Sequence, residues 1–224
     1  MTVITVSRQY GSGGDEIVEE VCQQLGCRYF DRRAIARAAM EVGLTETEVM
    51  EFSEETRQAQ NFFDRLFRRT KPVAHARVWR ETTTGVRVAD SEAIDEGQIV
   101  SLVEAAVRAA YREGNIIVVG RGGQAILMDK PGVLHVRIEA PFAMRVQRTS
   151  VKEGLDWQPS EALVQKRDAA AADYIRKYYD VDWSDPSLYH LIVNTGKWNL
   201  HAAADLLIQA IRLFDRAHQP VEAG

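Results

Sequence analysis

Near the start of the chain, Ser7-Arg8-Gln9-Tyr10 runs into Gly11-Ser12-Gly13-Gly14 and then Asp15. Gly11, Gly13 and Gly14 permit positive φ and close approach, so consecutive backbone N–H groups can line one concavity. A helix beginning at Asp15 adds its own unpaired N–H groups and the positive end of its dipole. These are the parts of a phosphate cradle, although a glycine turn between strand and helix can also serve folding alone. Against the pattern G-x-x-x-x-G-K-[ST], Arg8 stands at the first glycine, Gly14 at the lysine and Asp15 at the hydroxyl residue. The lysine ordinarily neutralises phosphate charge during transfer, and Arg8 is the local cation able to replace it. Asp15 has two readings. An acid in a helix's first turn is favourable by up to about 1 kcal/mol without any ligand; alternatively, its carboxylate stands where a hydroxyl usually meets Mg²⁺.

Further along, charged residues follow apolar runs. Arg121 comes just after Ile116-Ile117-Val118-Val119, and Asp31-Arg32 come just after Tyr29-Phe30. Asp31 can anchor a ligand or cap the helix that starts at Arg32. Arg145 and Arg148 are three apart on one helix face, as are Asp173 and Arg176. Each such pair is equally what a solvated helix face with a salt bridge worth at most about 1 kcal/mol looks like. Cys22 and Cys27 read as two buried or half-buried thiols, since a zinc or redox motif needs more ligands. The histidines are scattered and suggest no site.

Positioning these residues requires strands that deliver them to one edge. Apolar, β-branched runs predict strands at 3–6 and 116–119, with further candidates at 133–138, 28–30 and 189–193. Helical periodicity covers 15–25, with Gly26 as its stop, then 32–70 with a break near Gly43, 96–113, 141–153, 159–178 and 199–214. Residues 71–95 fit neither period and leave a loop, a small hairpin or a subunit contact open. Strands alternating with helices imply βαβ units and a parallel sheet covered on both faces. Ligands then bind beyond the carboxyl ends of the strands, which is where Ser7-Arg8, Asp31-Arg32, Gly120-Arg121 and Asn194-Thr195 fall.

At 224 residues with 46% hydrophobic and 27% charged positions, the chain has the make-up of an ordinary globular protein. A net charge of −4 argues against nucleic-acid binding as its main task. No run approaches the roughly 18 apolar residues of a membrane span, and no signal-peptide pattern opens the chain, so a cytoplasmic location is expected.

Taken together, ITVSRQYGSGG, YFDRR at 29–33, IIVVGRGG at 116–123, RIEAPFAMRVQR at 137–148, the helix with Asp173 and Arg176, and LIVNT at 191–195 resemble the cytidylate kinase-like family. The resemblance spans about residues 1–214 and is weakest at 45–95. It implies a three-layer α/β/α P-loop kinase fold with a parallel sheet of about five strands. The implied organisation is a single domain with its core at about 1–30, 96–140 and 187–214, a helical region for the nucleoside monophosphate at 31–95, and a lid at 141–183. ATP is the implied donor, with Mg²⁺, and CMP or dCMP the acceptor. By position, Gly11, Ser12, Gly13 and Gly14 cradle donor phosphates. Arg121 with Asp31 and Arg32 meets the acceptor, Asp173 holds its sugar and Arg176 reaches phosphate, while Arg8, Arg145 and Arg148 complete the cationic set. The chain departs from the family in having Gly14 for the lysine, Asp15 where an arginine often follows the double glycine, and Ala169 where an arginine is expected. Those changes keep a second reading in view, a nucleotide-binding regulatory protein without catalysis, beside a kinase for another small acceptor. A third reading makes 46–95 an interaction surface or a twofold dimer contact, with FFDRLF at 62–67 as its apolar patch.

Overall fold

The computed structural model describes residues 2–30, 74–81, 87–94 and 96–218. In chain order the elements are β1 (Val3–Arg8), α1 (Gly14–Leu25), β2 (Arg28–Tyr29), β3 (Ala74–Glu81), β4 (Arg87–Ile94), α2 (Glu96–Glu113), β5 (Ile116–Val119), α3 (Gly123–Ile126), β6 (Val133–Glu139), α4 (Phe142–Glu153), α5 (Trp157–Tyr179), β7 (Leu191–Asn194) and α6 (Leu200–Ala217). Met1–Phe30 with Ala110–Gly224 form one compact unit, and Asp31–Ala109 a second.

In the second unit, β3 and β4 pair antiparallel from Ala74 opposite Ile94 to Glu81 opposite Arg87. Over 74–81 and 87–94 this pairing matches the small hairpin among the readings of 71–95. The helical pattern expected at 32–70, including residues 62–67, lies outside the described residues.

The first unit is built on a five-stranded sheet in the order β2-β5-β1-β6-β7, with every pairing parallel. Alternation along the strands sorts its two faces. Ile4, Val6, Ile117, Val119, Leu134, Val136 and Ile138 join Ile17, Val18 and Val21 of α1 and Leu207, Ile208 and Ile211 of α6 in one core cluster. Each fully buried aliphatic side chain of this kind contributes about 1.5–3 kcal/mol. The opposite face carries Thr5, His135, Ser7 and Arg137, all buried and all polar, so each needs a partner there. Thr5 Oγ1 and His135 Nδ1 share a hydrogen bond of 2.7 Å. Arg137 donates to the Trp183 carbonyl at 2.8 Å, its guanidinium lying 4.4 Å from that ring's centre, and Trp183 Nε1 donates to Ser7 Oγ at 2.8 Å. Helix α3 closes the same face: a side chain at Gly123 would run into Val118 and Thr5. Helices on both faces of a parallel sheet make this a three-layer α/β/α fold.

Strand β1 runs further than apolarity suggests, so Ser7 and Arg8 are its last residues rather than the start of the turn. The chain leaves β1 toward β2 on one side and comes back to β6 on the other. Such a reversal opens a crevice at the carboxyl ends of the central strands, and the glycine turn sits there.

Candidate functional site

The turn from Gln9 to Gly13 is held by its carbonyls. Gln9 N–H donates to Ile138 O at 3.0 Å and Ser12 N–H to Gln9 O at 3.2 Å. Arg145 Nη1 donates to Tyr10 O at 3.1 Å. Arg148 Nη1 and Thr195 Oγ1 both donate to Ser12 O, at 2.9 and 2.6 Å. The Tyr10 and Ser12 carbonyls are thus taken by cations and a hydroxyl, and the Gln9, Tyr10 and Ser12 amides are bound within the protein. Gly11 and Gly13 have φ of 76° and 82°, and Gly13 caps α1 with no side-chain bond to the first turn. The first amides of α1 therefore have no acceptor from within the helix. Ser12 Oγ is buried and, among the described residues, has no hydrogen-bond partner. A Cβ at Gly11 would sit 2.6 Å from Arg145 O, so the concavity is shaped by glycines that nothing larger can replace.

Arg8 explains the glycine that stands for the lysine. A Cβ at Gly14 would be 2.7 Å from Arg8 Cβ, and one at Gly120 would be 2.7 Å from Arg8 Nη1. The arginine thus passes between the first turn of α1 and the end of β5, through the volume that a side chain at position 14 would need. Its Nε donates to Asp15 Oδ1 at 2.9 Å, and both side chains are partly exposed.

Arg121 sits between Gly120 and Gly122, and all three have positive φ, of 66°, 57° and 73°. For a residue with a side chain that conformation costs roughly 1 kcal/mol or more, and such strain gathers at functional sites. The guanidinium lies 5.6 Å from the Phe30 ring centre. Burial pushes it down to about 10; neighbouring Tyr29 and Tyr174 oppose the shift, and Arg8 adds to it by like-charge repulsion. Arg8 and Arg121 therefore bring two cations to the same end of the sheet.

Arg145 and Arg148 behave differently from one another. Arg145 is buried and binds Asp168 Oδ2 at 2.6 Å, Ala140 O and Tyr10 O. Arg148 is half-buried and reaches Ser12 and Thr195. Asp173 and Arg176 are exposed on α5, and that helix contacts the turn through Asp168, whose Oδ1 accepts from Tyr10 N–H at 2.9 Å. Asp168 and Thr195 are the residues that spacing alone does not single out. Asp168 adjoins Ala169, where an arginine is expected, and Thr195 is signalled only by standing just past β7. Asp31 and Arg32 lie outside the described residues.

For a divalent cation the described residues offer no group of three or more His, Cys, Asp or Glu. Asp15 supplies a single carboxylate beside the turn. One or two carboxylates with phosphate oxygens is the usual mode for Mg²⁺ in phosphoryl transfer, so the site fits that mode. Among the described residues no helix is long and apolar enough to cross a membrane.

Against known proteins, the profile of the cytidylate kinase-like family matches residues 3–197. A cytidylate kinase of Pyrococcus horikoshii is 26% identical over 214 residues, 95% of this chain and 90% of that one. A cytidylate kinase of Methanopyrus kandleri is 29% identical over 112 residues, 46% of this chain and 58% of the relative. In fold, an uncharacterized protein from Eubacterium ventriosum superposes with a TM-score of 0.59 at 16% identity, covering 95% of this chain and 99% of the other. With a match running from β1 through the glycine turn and GRGG to the segment after β7, the chain belongs to the cytidylate kinase-like family of nucleotide kinases.

Proposed function

We propose that this chain is a nucleoside monophosphate kinase-like phosphotransferase that moves the terminal phosphoryl group of ATP to CMP or dCMP, giving ADP and CDP or dCDP. One observation carries the reading: Arg8 stands where the Cβ of a residue at position 14 would go, beside the first turn of α1 and near enough to Arg121 to repel it. Transfer of this kind needs positioning and charge stabilisation more than covalent help. Gly11, Gly13 and Gly14 hold the donor's phosphates by backbone amides and Ser12 by its hydroxyl, and Arg8 neutralises them from the side of β5. Arg121 and, beyond the described residues, Asp31 and Arg32 hold the acceptor. Arg176 approaches its phosphate from the region at 141–183, which acts as the lid, and Asp173 its sugar. Arg148 fixes the Ser12 carbonyl and Arg145 the Tyr10 carbonyl, so both act by keeping the cradle open, Arg145 as a positioning residue. Asp15 is the carboxylate that would hold Mg²⁺, which would supply charge neutralisation to the donor's phosphates.

The test is ADP release from Mg·ATP with CMP, dCMP, UMP, AMP or no acceptor. Release that depends on CMP or dCMP is expected. Nucleotide binding without acceptor-dependent release would replace this reading by the regulatory one.

A further inference from the structure

Cys22 and Cys27 are the two cysteines of the chain, and the fold brings their sulfurs to 3.4 Å. Cys22 is on α1; Cys27 comes immediately after Gly26, the left-handed residue that ends that helix. Both are half-buried free thiols against the edge of the core. Packing accounts for their burial, but not for two sulfurs meeting each other rather than aliphatic carbon. Cys22 also lines an open depression with Asp15, Glu19, Gln23 and Tyr29, which gives a small reagent access. The intervening turn is roomy, since nothing lies within 4 Å of where a Cβ at Gly26 would be.

From the sulfur–sulfur contact and this access we infer that Cys22 and Cys27 are a reversible dithiol/disulfide site, oxidised by low-molecular-weight disulfides. One thiolate of the pair attacks one sulfur of the small disulfide, breaking its S–S bond and releasing one thiol as a mixed disulfide forms. The other cysteine gives its proton to solvent and attacks the protein sulfur of that mixed disulfide, releasing the second thiol. The protein's two thiols are oxidised and the small disulfide is reduced to two thiols. Closing the gap to a bond of about 2.0 Å is a small movement. The sulfur–sulfur hydrogen bond lowers the Cys27 pKa and raises that of Cys22. The product ties the end of α1 to β2, on the flank that carries Tyr29. The inference is independent of which nucleotides the site takes.

The full-length chain is equilibrated with mixtures of reduced and oxidised glutathione, quenched in acid, unfolded and treated with iodoacetamide, and its intact mass is read. The expected change is from a doubly alkylated chain to an unalkylated one lighter by two hydrogens, reached from both the reduced and the oxidised side. The native chain should convert at a ratio of oxidised to reduced glutathione at least about tenfold lower than the chain held in urea. Cys22→Ser and Cys27→Ser should each gain a glutathione adduct instead. A wild-type chain that stays doubly alkylated, accumulates only glutathione adducts, or bridges no more readily folded than unfolded would overturn the proposal.

Discussion

At the scale of single residues, exposure separates binding from structure. Arg176 is exposed on α5, so removing its side chain should leave the fold intact. Hydrogen bonds to charged groups contribute about 1.5–3 kcal/mol; Arg176→Ala should therefore raise the acceptor's Kd about ten- to a hundredfold with little change in Tm. Calorimetric titration beside a melting curve checks this, and equal affinity removes Arg176 from the site. His135 is the opposite case. It is buried against Thr5, with His190 stacked on it at 5.3 Å. Burial first, then His190, pushes its pKa down from 6.5 to about 4. Between those values the unfolded chain binds the extra proton. The stability that neutral His135 contributes, on the order of 2–3 kcal/mol, is therefore complete above about pH 6.5 and lost as pH falls toward 4. Urea unfolding across that window should show a shallower pH dependence for His135→Gln than for wild type.

At the scale of elements, the glycine turn is an assembly rather than a loop. Tyr10 and Ser12 are gripped by α4 through Arg145 and Arg148, and Tyr10 also by α5 through Asp168, and Tyr10 Oη reaches Glu153 Oε1 at 3.1 Å. Two glycines with similar positive φ separate this packing from backbone conformation. Gly11→Ala places a Cβ against Arg145 O and Thr149 Oγ1, whereas Gly26→Ala meets open space. Both carry the left-handed penalty of about 1–2 kcal/mol; only Gly11→Ala adds overpacking, typically about 1–3 kcal/mol. Urea unfolding should rank the Gly11 variant well below the Gly26 variant. Equal losses would mean that α4 does not press on the turn.

At the scale of the whole molecule, a ligand that binds only the folded chain raises its stability by mass action. At a hundredfold excess over Kd the gain is about 2.7 kcal/mol. For a chain of 224 residues that corresponds to a rise in melting temperature of about 5–10 °C. Thermal unfolding with ATP, CMP, both or neither reads this without requiring turnover, so it separates loss of chemistry from loss of the site. An unchanged Tm with ATP would take the donor away from the glycine turn.

By itself the sequence determined what depends on neighbours along the chain. An unbroken apolar run marked β5, a 3.6-residue period with Gly26 as its stop marked α1, and the glycines with their acid marked the turn. Those signals are local because backbone geometry and burial of one face act over a few residues. Only the tertiary structure decided that Arg8 fills the space beside Gly14, that Arg145 serves the turn from within, that Asp168 joins α5 to Tyr10, and that two cysteines meet. The partners in the Arg145, Asp168 and Thr195 contacts to the turn stand 135 to 183 residues apart. Their contacts come from strand order and helix packing, and no periodicity records which distant side chain will fill a given space.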